Sequence, residues 1–508
     1  MQNRTLYFGD NLEVLREKVP DESFDLIYLD PPFNSNRNYN VIFKEGMVDS
    51  SAQSHAFDDS WHWNEKTQQT YHYLVTKTNE KISNLIQSLI KILRAQNDMS
   101  AYLTMMTIRL IELRRVLKSS GSIYLHCDPT ASHYLKIVMD AVFGKQNFIN
   151  EIVWSYKKWA VSQKMFSRNH DIILFYGKDS EKLKFNTILQ PRADSTLKRF
   201  GTKTIVSAVD PNTGKRVPSR VEDTESGGVK MSDVWEVPVI APVSKERLGY
   251  PTQKPEALLE RIIKASSKEG DWILDPFCGC GTTVAVAEKL NRRWIGVDIS
   301  SLAIKVIKDR LSQKFRGKAL IQKINIDGLP KDLHGAKLLF QRSPWDFEYW
   351  ALLLIKGAIP AKNKTKENMK GADKGIDGVI TFLKDVDKNE YGKIIIQVKG
   401  GHVQRNQIAT LKGDIQREKA DGGLFITLEE PTRPMKEEMV SVGCYKTSYS
   451  LKEFPKIQIL TINELLNGRQ PDLPYGLVKN HYKEAQPEEN GNNHDIFTYI
   501  KENGKNKK

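Results

Sequence analysis

One stretch decides the fold of this chain: WILDPFCGCGTT, which runs from Trp272 to Thr283. It begins with apolar residues that predict a short buried strand, and it then enters a loop rich in glycine. A helix is predicted through Leu290, and Arg293 to Asp298 predicts the next strand. This alternation is typical of a parallel α/β sheet. Glycines at such a turn let the backbone approach a ligand closely.

The residues around the loop narrow the choice of ligand. Asp298 lies roughly 20 residues after the strand, where an acid can hold a ribose hydroxyl. A dinucleotide-binding oxidoreductase and a plain tight turn are the alternatives. Against the oxidoreductase, the acid Asp275 precedes Gly279 and Gly281, and the third glycine of Gly-x-Gly-x-x-Gly is missing.

A second motif, Asp30-Pro31-Pro32-Phe33, follows the apolar run Phe24 to Leu29, which predicts a buried parallel strand. A nucleobase amine is a poor nucleophile because its lone pair is delocalised into the ring. The Asp30 carboxylate and the Pro31 carbonyl can accept its two hydrogens and turn the lone pair toward a methyl donor, with the prolines fixing the backbone. Phe33 can stack on a base taken out of the duplex. A simple proline turn is the alternative.

Together the two motifs resemble the DNA amino-methyltransferases, in the permuted order of their β class, over about residues 1–312. The elements Phe8 to Leu12, Tyr250 to Pro255 and Arg115 to Ile123 also match that family. The resemblance implies S-adenosylmethionine as cofactor and double-stranded DNA as substrate. The cofactor-binding residues that it implies are Asp10, Thr252, Gln253, Lys254, Asp275, Pro276, Phe277, Gly279, Gly281, Thr282 and Asp298.

The domain organisation follows from the same comparison. The expected fold is a Rossmann-like S-adenosylmethionine-dependent methyltransferase sheet over residues 1–315, with a smaller α/β domain at 340–468 and a polar tail at 469–508. The basic, irregular stretch 154–249 is predicted to be the target-recognition region. Its aromatic residues Trp154, Tyr156 and Trp159 are of a type that is exposed for base readout.

Composition limits the classes of function. The 508 residues carry 76 Lys and Arg against 62 Asp and Glu, a net charge of +14, which favours a polyanionic partner such as DNA. No apolar run approaches the roughly 20 residues of a membrane-spanning helix. Four cysteines form no disulfide framework, so we expect a cytoplasmic protein without a membrane partner, acting alone or as a homodimer.

The C-terminal part contains a second constellation. Gly378 to Leu383 and Lys393 to Lys399 predict a hairpin whose midpoint near Lys388 puts Asp377 opposite Lys399. Gln397 shares a strand face with Lys399. A carboxylate, an amide and a lysine at one end of a hairpin can hold a divalent metal and activate water against phosphate. An ordinary hairpin with polar residues is the alternative.

Residues 340 to 466 resemble the Mrr-like branch of the PD-(D/E)xK restriction nucleases. The resemblance implies that Asp377 and Gln397 are ligands of Mg²⁺ and that Lys399 stabilises the attacking water. Gln397 departs from the acidic residue of the superfamily, and Glu348 is a candidate for the missing carboxylate.

The sequence therefore predicts a site-specific DNA adenine-N6 methyltransferase fused to a nuclease domain of the restriction-modification type. Asp30, Pro31, Pro32 and Phe33 are its predicted catalytic residues for methylation, and Asp377, Gln397 and Lys399 those for cleavage. Two alternatives stay open: cytosine-N4 methylation, and a C-terminal domain that binds DNA without cutting it.

Overall fold

The structure is a computed structural model. It describes residues 1–32, 38–45, 48–58, 62–93, 97–157, 166–209, 213, 215–225, 227–241, 243–250, 252–315, 323–361, 375–385, 388 and 390–474. Three predicted features lie outside the described residues: Phe33, Trp159 and most of the polar tail.

The elements have these bounds. The strands are β1 (Thr5–Phe8), β2 (Phe24–Leu29), β3 (Asn38–Glu45), β4 (Val48–Asp58), β5 (Leu117–Cys127), β6 (Phe148–Ser155), β7 (His170–Gly177), β8 (Leu189–Gln190), β9 (Lys203–Val209), β10 (Arg216–Glu225), β11 (Val229–Lys230), β12 (Val234–Glu236), β13 (Trp272–Asp275), β14 (Arg293–Asp298), β15 (Asn325–Asp327), β16 (Ile359–Pro360), β17 (Gly378–Asp385), β18 (Glu390–Lys399), β19 (Gly422–Thr427), β20 (Cys444–Thr447), β21 (Ser450–Pro455) and β22 (Ile457–Thr461). The α-helices are α1 (Asn11–Lys18), α2 (Glu65–Lys77), α3 (Glu80–Ile92), α4 (Asp98–Val116), α5 (Ser132–Met139), α6 (Asp194–Phe200), α7 (Glu256–Ser266), α8 (Thr282–Lys289), α9 (Ser301–Lys314), α10 (Leu333–Arg342), α11 (Pro344–Leu353), α12 (Arg405–Arg417), α13 (Arg433–Ser441) and α14 (Ile462–Leu466).

The larger sheet has the order β12-β6-β7-β5-β2-β13-β14-β1-β15. From β5 to β15 every pairing is parallel, and β6 and β7 add an antiparallel pair on one side. The predicted parallel α/β sheet is therefore confirmed. It also takes in β15, which lies beyond residue 315, where the sequence analysis ended the first domain.

The central strand β2 shows why the sheet is covered on both faces. All six of its residues are buried, as predicted for a parallel strand. Leu26 and Tyr28 pack into one core cluster with helices α7 to α9, whereas Ile27 and Leu29 pack into the other with α1, α3, α4 and α5. Alternate residues of one strand thus hold helices on opposite faces.

The prediction that residues 154–249 form an irregular recognition region is wrong for β7. The run Ile172 to Tyr176 is apolar and buried, and it pairs antiparallel with both β5 and β6 inside the larger sheet. The strand was not recognised from the sequence because basic residues flank it. The part of the stretch that lies outside the sheet consists mainly of residues 178–232, with the short strands β8 to β11 and helix α6.

The smaller sheet has the order β16-β17-β18-β19-β22, with β17 and β18 forming the predicted hairpin. Its register differs from the prediction, because Gly378 pairs with Ile396, which brings Asp377 level with Gln397 rather than with Lys399. The pairing contains an irregularity between Leu383 and Asp385, where β17 carries one extra residue. That residue and a slightly earlier turn account for the shift.

A shared apolar cluster joins the two sheets through the glycine loop. Leu248, Tyr250, Cys280, Leu302, Ala303 and Val306 come from around that loop and from α9, and Ile359 and Val379 come from β16 and β17. Helices α9 and α11 also pack on each other. We call these eight residues the shared cluster. Among the described residues, no helix is long and apolar enough to cross a membrane.

Candidate active site

The two motifs found in the sequence meet at one edge of the larger sheet. Strands β2, β13 and β14 are parallel neighbours, and each is followed or ended by an acid at its carboxyl end: Asp30, Asp275 and Asp298. Ligands of open α/β sheets bind at this edge. The order of the strands therefore brings together residues that lie about half the chain apart.

The glycine loop is held open by its backbone geometry. Gly279 and Gly281 have φ angles of +49° and +73°, a region that favours glycine. A Cβ at position 281 would also lie 2.7 Å from Ile307 Cγ1. The Gly279 N–H donates to Asp298 Oδ2 at 2.7 Å, which ties the loop to the end of β14.

Arg310, which the sequence analysis missed, fixes the far side of this loop. Its guanidinium donates to the carbonyl of Cys280 and to the hydroxyl of Thr282, both at 3.1 Å, and forms an ion pair with Glu256 at 2.8 Å. Because Arg310 is buried and 28 residues from Thr282, only the folded chain reveals the contact.

Burial disfavours the charged form of the acids in this pocket. It raises the pKa of Asp275 to about 7 and that of Asp298 to about 6, and the nearby charge of Asp30 raises the pKa of Asp275 further. Buried carboxylates next to the glycines disfavour a pyrophosphate and favour a ligand that carries positive charge. A sulfonium compound such as S-adenosylmethionine fits this pocket better than a dinucleotide.

Ile299 is a second residue that the sequence analysis missed. It directly follows Asp298, and 60% of its surface is exposed. An exposed apolar side chain beside a candidate ribose-binding acid can pack on a flat heterocycle. The signal in the sequence was an apolar residue directly after the acid that ends the strand.

Asp10, predicted to contact adenosine, is engaged by two cations. Its carboxylate accepts from Arg109 and from Lys66, both at 2.7 Å, and it caps α1 through the N–H of Leu12 at 3.0 Å. Burial alone would raise the pKa of Asp10, but the positive charges of Arg109 and Lys66 hold it below its ordinary value. Asn11 donates to the Pro276 carbonyl at 2.8 Å and so connects this element to the glycine loop.

The Thr252, Gln253 and Lys254 element forms the wall between the two motifs. Thr252 is exposed, with a φ of +59°. The side-chain amide of Gln253 bonds to the backbone at Glu246 and Leu248 and thereby shapes the loop. Lys254 is buried and lies against Asp30 rather than along the glycine loop.

The two carboxylate oxygens of Asp30 differ in their hydrogen bonding. Its Oδ2 accepts from Lys254 Nζ at 2.5 Å. Its Oδ1 is buried, and no described residue donates a hydrogen bond to it. An unsatisfied buried acceptor is costly unless a ligand completes it, so Oδ1 is positioned to receive a donor from outside the chain. Pro31 is buried behind it.

Two aromatic residues expected to face DNA are buried instead. Trp154 is 3% exposed and Tyr156 is 8% exposed. The Trp154 indole donates to the Val237 carbonyl at 2.8 Å and packs edge-on against His126. The prediction was wrong because these residues end β6 and continue the core of the sheet. Exposed cations do lie in the surrounding region: Lys157, Arg168, Lys198, Arg199, Lys203, Lys215 and Lys230.

The C-terminal constellation comes together but does not fit a magnesium site. Asp377 and Gln397 are both 3% exposed, and Asp377 Oδ2 accepts from the Val398 N–H at 2.5 Å. Gln397 Nε2 donates to Asp414 Oδ2 at 2.7 Å, and Arg417 pairs with the other oxygen of Asp414. Across the described residues no group of three or more His, Cys, Asp and Glu side chains could hold a metal. Lys399 is half-buried beside this cluster.

Comparison with known proteins identifies the family. The DNA methylase family matches residues 24–309, more than half of the chain, and the chain belongs to that family. Residues 362–467 match a second family, described as NACHT-associated inactive Restriction Endonuclease 1. The fusion of two such units agrees with the sequence analysis, but the second family is described as inactive, against the expected Mrr-like nuclease.

The chain is similar to several curated enzymes. It is 35% identical over 208 residues to the Type II methyltransferase M.HpaI of Haemophilus parainfluenzae, covering 41% of this chain and 58% of M.HpaI. It is 29% identical over 309 residues to the DNA adenine methyltransferase YhdJ of Escherichia coli, covering 61% of this chain and 82% of YhdJ. Thus the chain spans little more than half the length of M.HpaI.

Among solved structures, the cytosine-N4-specific PvuII DNA methyltransferase aligns with a TM-score of 0.37 and 14% identity, covering 64% of this chain and 91% of that one. A Thermus thermophilus DNA modification methylase, TTHA0409, in complex with S-adenosylmethionine, aligns with a TM-score of 0.33 and 16% identity, covering 64% of this chain and 97% of that one.

The raised pKa of Asp275 predicts a loss of stability with rising pH. Folded Asp275 holds its proton up to about pH 7, whereas the ordinary value is 3.8. Its contribution is complete below about pH 4 and disappears as the pH passes 7, by at most about 4 kcal/mol. Denaturant unfolding of the ligand-free protein at pH 5 and pH 8 should show this loss, and Asp275→Asn should reduce it.

Glu269→Gln, an exposed acid six residues earlier, is the matched control and should keep the pH dependence of the wild type. An Asp275→Asn variant with the same pH dependence as the wild type would mean that Asp275 is ionised in the folded protein.

Proposed function

We propose that this chain is an S-adenosylmethionine-dependent, site-specific DNA methyltransferase that methylates the exocyclic amine of adenine at N6. The observation that carries the proposal is the vacant, buried Asp30 Oδ1 at the same sheet edge as the glycine loop and Asp298. Membership of the DNA methylase family supports the reaction class.

The chemistry requires one acceptor for each hydrogen of the target amine. Asp30 Oδ1 accepts one hydrogen and the Pro31 carbonyl accepts the other, which directs the nitrogen lone pair toward the methyl donor. When bound, S-adenosylmethionine supplies a methyl group on a positively charged sulfur. Transfer would form the nitrogen–carbon bond while the carbon–sulfur bond breaks with its electron pair kept by sulfur, and the amine would then release one proton to solvent.

The cofactor would lie along the glycine loop. Asp298 is the group for the ribose hydroxyls, Ile299 packs on the adenine, and Thr282 lies at the N-terminus of α8, where the helix dipole favours a carboxylate. The buried acids Asp275 and Asp298 suit the positive sulfur and amino group, because a nearby positive charge favours their ionised form. Asp275, Pro276 and Phe277 form the turn that shapes this pocket.

Double-stranded DNA is the substrate that the charge favours. The chain carries a net charge of +14, and exposed lysines and arginines lie around residues 157 to 230. Such residues neutralise phosphates, and the target base must leave the duplex to reach Asp30. The restriction-modification role is supported by the Type II methyltransferases among the relatives.

Adenine is favoured over cytosine because the tetrapeptide begins with Asp30, whereas cytosine-N4 enzymes usually have Ser at this position. YhdJ is named as an adenine enzyme and the PvuII enzyme as a cytosine-N4 enzyme, so the relatives include both kinds. Cytosine-N4 methylation is the second candidate.

Asp30→Ala is expected to lower the rate of methyl transfer by roughly 10²–10³-fold, as removing one preorganised transition-state group does. Cofactor affinity should change little, because Asp30 contacts the target amine. Asp298→Ala should do the reverse and mainly weaken cofactor binding. Single-turnover methylation and titration calorimetry with S-adenosylmethionine measure the two effects. Near wild-type methylation by the Asp30→Ala variant would remove Asp30 from the reaction.

The base is identified by mass spectrometry of nucleosides from DNA treated with the protein and S-adenosylmethionine. We expect N6-methyladenine. DNA from a host without other methyltransferases is the substrate, and untreated DNA is the control. N4-methylcytosine in the absence of N6-methyladenine would establish the cytosine alternative.

For the C-terminal unit we propose a role in binding DNA rather than in cutting it. The proposal is supported by the description of its family as inactive and by the engagement of Gln397 with Asp414. A magnesium-dependent nuclease built on Asp377, Gln397 and Lys399 is the alternative.

Plasmid DNA incubated with the full chain and Mg²⁺ should therefore remain supercoiled. Lys399→Ala should give the same result, and methylation should persist in that variant. Mg²⁺-dependent nicking by the wild type that Asp377→Ala and Lys399→Ala abolish would instead establish the nuclease. Gel electrophoresis, with EDTA as control, separates the two outcomes.

A further inference from the structure

Lys254 has a role different from the cofactor contact that the sequence implied. It lies just before helix α7, yet its ammonium group contacts the carboxylate that follows β2, 224 residues earlier. Only 8% of Lys254 is exposed. A lysine buried to this extent needs anionic partners, because removing its charge from water is costly.

The contact constrains how Asp30 can act. Lys254 occupies Oδ2, and the vacant acceptor is Oδ1. The carboxylate is therefore held with a single oxygen available to a target amine. Its negative charge is also balanced by a partner that does not compete for that oxygen.

The charge of Lys254 also acts on a second acid, Asp171. Burial would raise the pKa of Asp171, but hydrogen bonds and charge from His126, with the charge of Lys254 and the hydroxyl of Tyr156, hold it below its ordinary value. His126 Nε2 lies 3.2 Å from Asp171 Oδ2, and Tyr156 donates to Oδ1 at 3.0 Å. Asp171 is thus an anion fixed by side chains from β5 and β6.

The hydrogen bonds of His126 also connect Asp171 to strand β2. A carboxylate only accepts, so His126 Nε2 donates to Asp171, and His126 Nδ1 lies 2.9 Å from the Tyr28 hydroxyl. Tyr28 lies on β2, two residues before Asp30. Tyr28, His126 and Asp171 therefore form a chain of hydrogen bonds from β2 to an acid that is influenced by the charge of Lys254, and Lys254 contacts Asp30.

We propose that Lys254 is a positioning residue for Asp30 in the methylation reaction, and that Asp171, fixed by His126, holds Lys254 in place. This inference rests on the proposed function. In it, Lys254 orients the carboxylate so that Oδ1 meets the target amine, and Asp171 acts on Lys254 through its charge. A displacement of about 1 Å in such a group can cost roughly 100-fold in rate.

Lys254→Met tests the role of the charge in the full-length chain. Single-turnover methylation should fall roughly 100-fold, while the affinity for S-adenosylmethionine should stay within about twofold of the wild type. Lys254→Arg keeps the charge and should recover at least part of the rate. Lys264→Met, which removes an exposed lysine of α7, is the matched control and should leave both quantities unchanged.

Asp171→Asn tests whether the acid acts through Lys254. Alone it should slow methylation. Combined with Lys254→Met it should add little, because the group that it holds is already absent. Independent effects that multiply in the double variant would overturn the link between Asp171 and Lys254, and Lys254→Gln replaces Lys254→Met in this comparison if the latter does not fold.

Two results would overturn the positioning role itself: a Lys254→Met variant that methylates at the wild-type rate, or one that loses cofactor affinity and keeps its rate at saturation. A wild-type protein that methylates no DNA would instead refute the proposed function, so the two failures are distinguishable.

Discussion

The burial of negative charge at one sheet edge is the constraint on which the rest of this site depends. The strand order brings Asp30, Asp275 and Asp298 together, and burial raises the pKa of the latter two. Two kinds of group stabilise these acids. Backbone N–H groups serve Asp275 and Asp298, whereas Asp30 uses a buried lysine. The hydrogen bonds and ion pairs around the pocket largely follow from the need to stabilise these buried acids.

Cations serve the same purpose at the margins of the pocket. Arg109 balances Asp10 and reaches Asn11, which contacts the glycine loop through Pro276. Arg310 balances Glu256 and holds the loop at Cys280. Both arginines are buried and have several partners. The loop is therefore held from two sides by ion pairs whose members come from distant parts of the chain.

The sequence predicted what short-range chemistry determines. The buried strand β2, the glycine loop and the acid that ends β14 each depend on neighbouring residues, so their patterns are visible in the chain itself. The partners of Asp10 and Asp30 could not be predicted in this way, because they lie 99 and 224 residues away. Which cation pairs with which acid depends on the packing of helices and loops. This dependence produces no periodic pattern in the sequence.

Two errors have the same physical origin. Strand β7 was not recognised because its apolar run lies within a basic stretch, and its place between β5 and β6 is a matter of tertiary pairing. The predicted hairpin register was wrong because β17 carries one extra residue between Leu383 and Asp385 and because the turn comes slightly earlier. Together they shift the partners of all residues from Gly378 to Leu383. The type of element could be predicted there, but the exact partner of Asp377 could not.

The shared cluster has a consequence for how this protein can have changed over time. Tyr250 and Cys280, beside the glycine loop, and Ile359 and Val379, at the edge of the smaller sheet, fill one apolar space. A substitution on either side changes the volume left to the other, so a change on one side needs a compensating change on the other to preserve the packing. The C-terminal unit can therefore lose a chemistry of its own and still be retained, because it completes the wall of its neighbour. Retention of the C-terminal unit then depends on its packing as well as on any reaction.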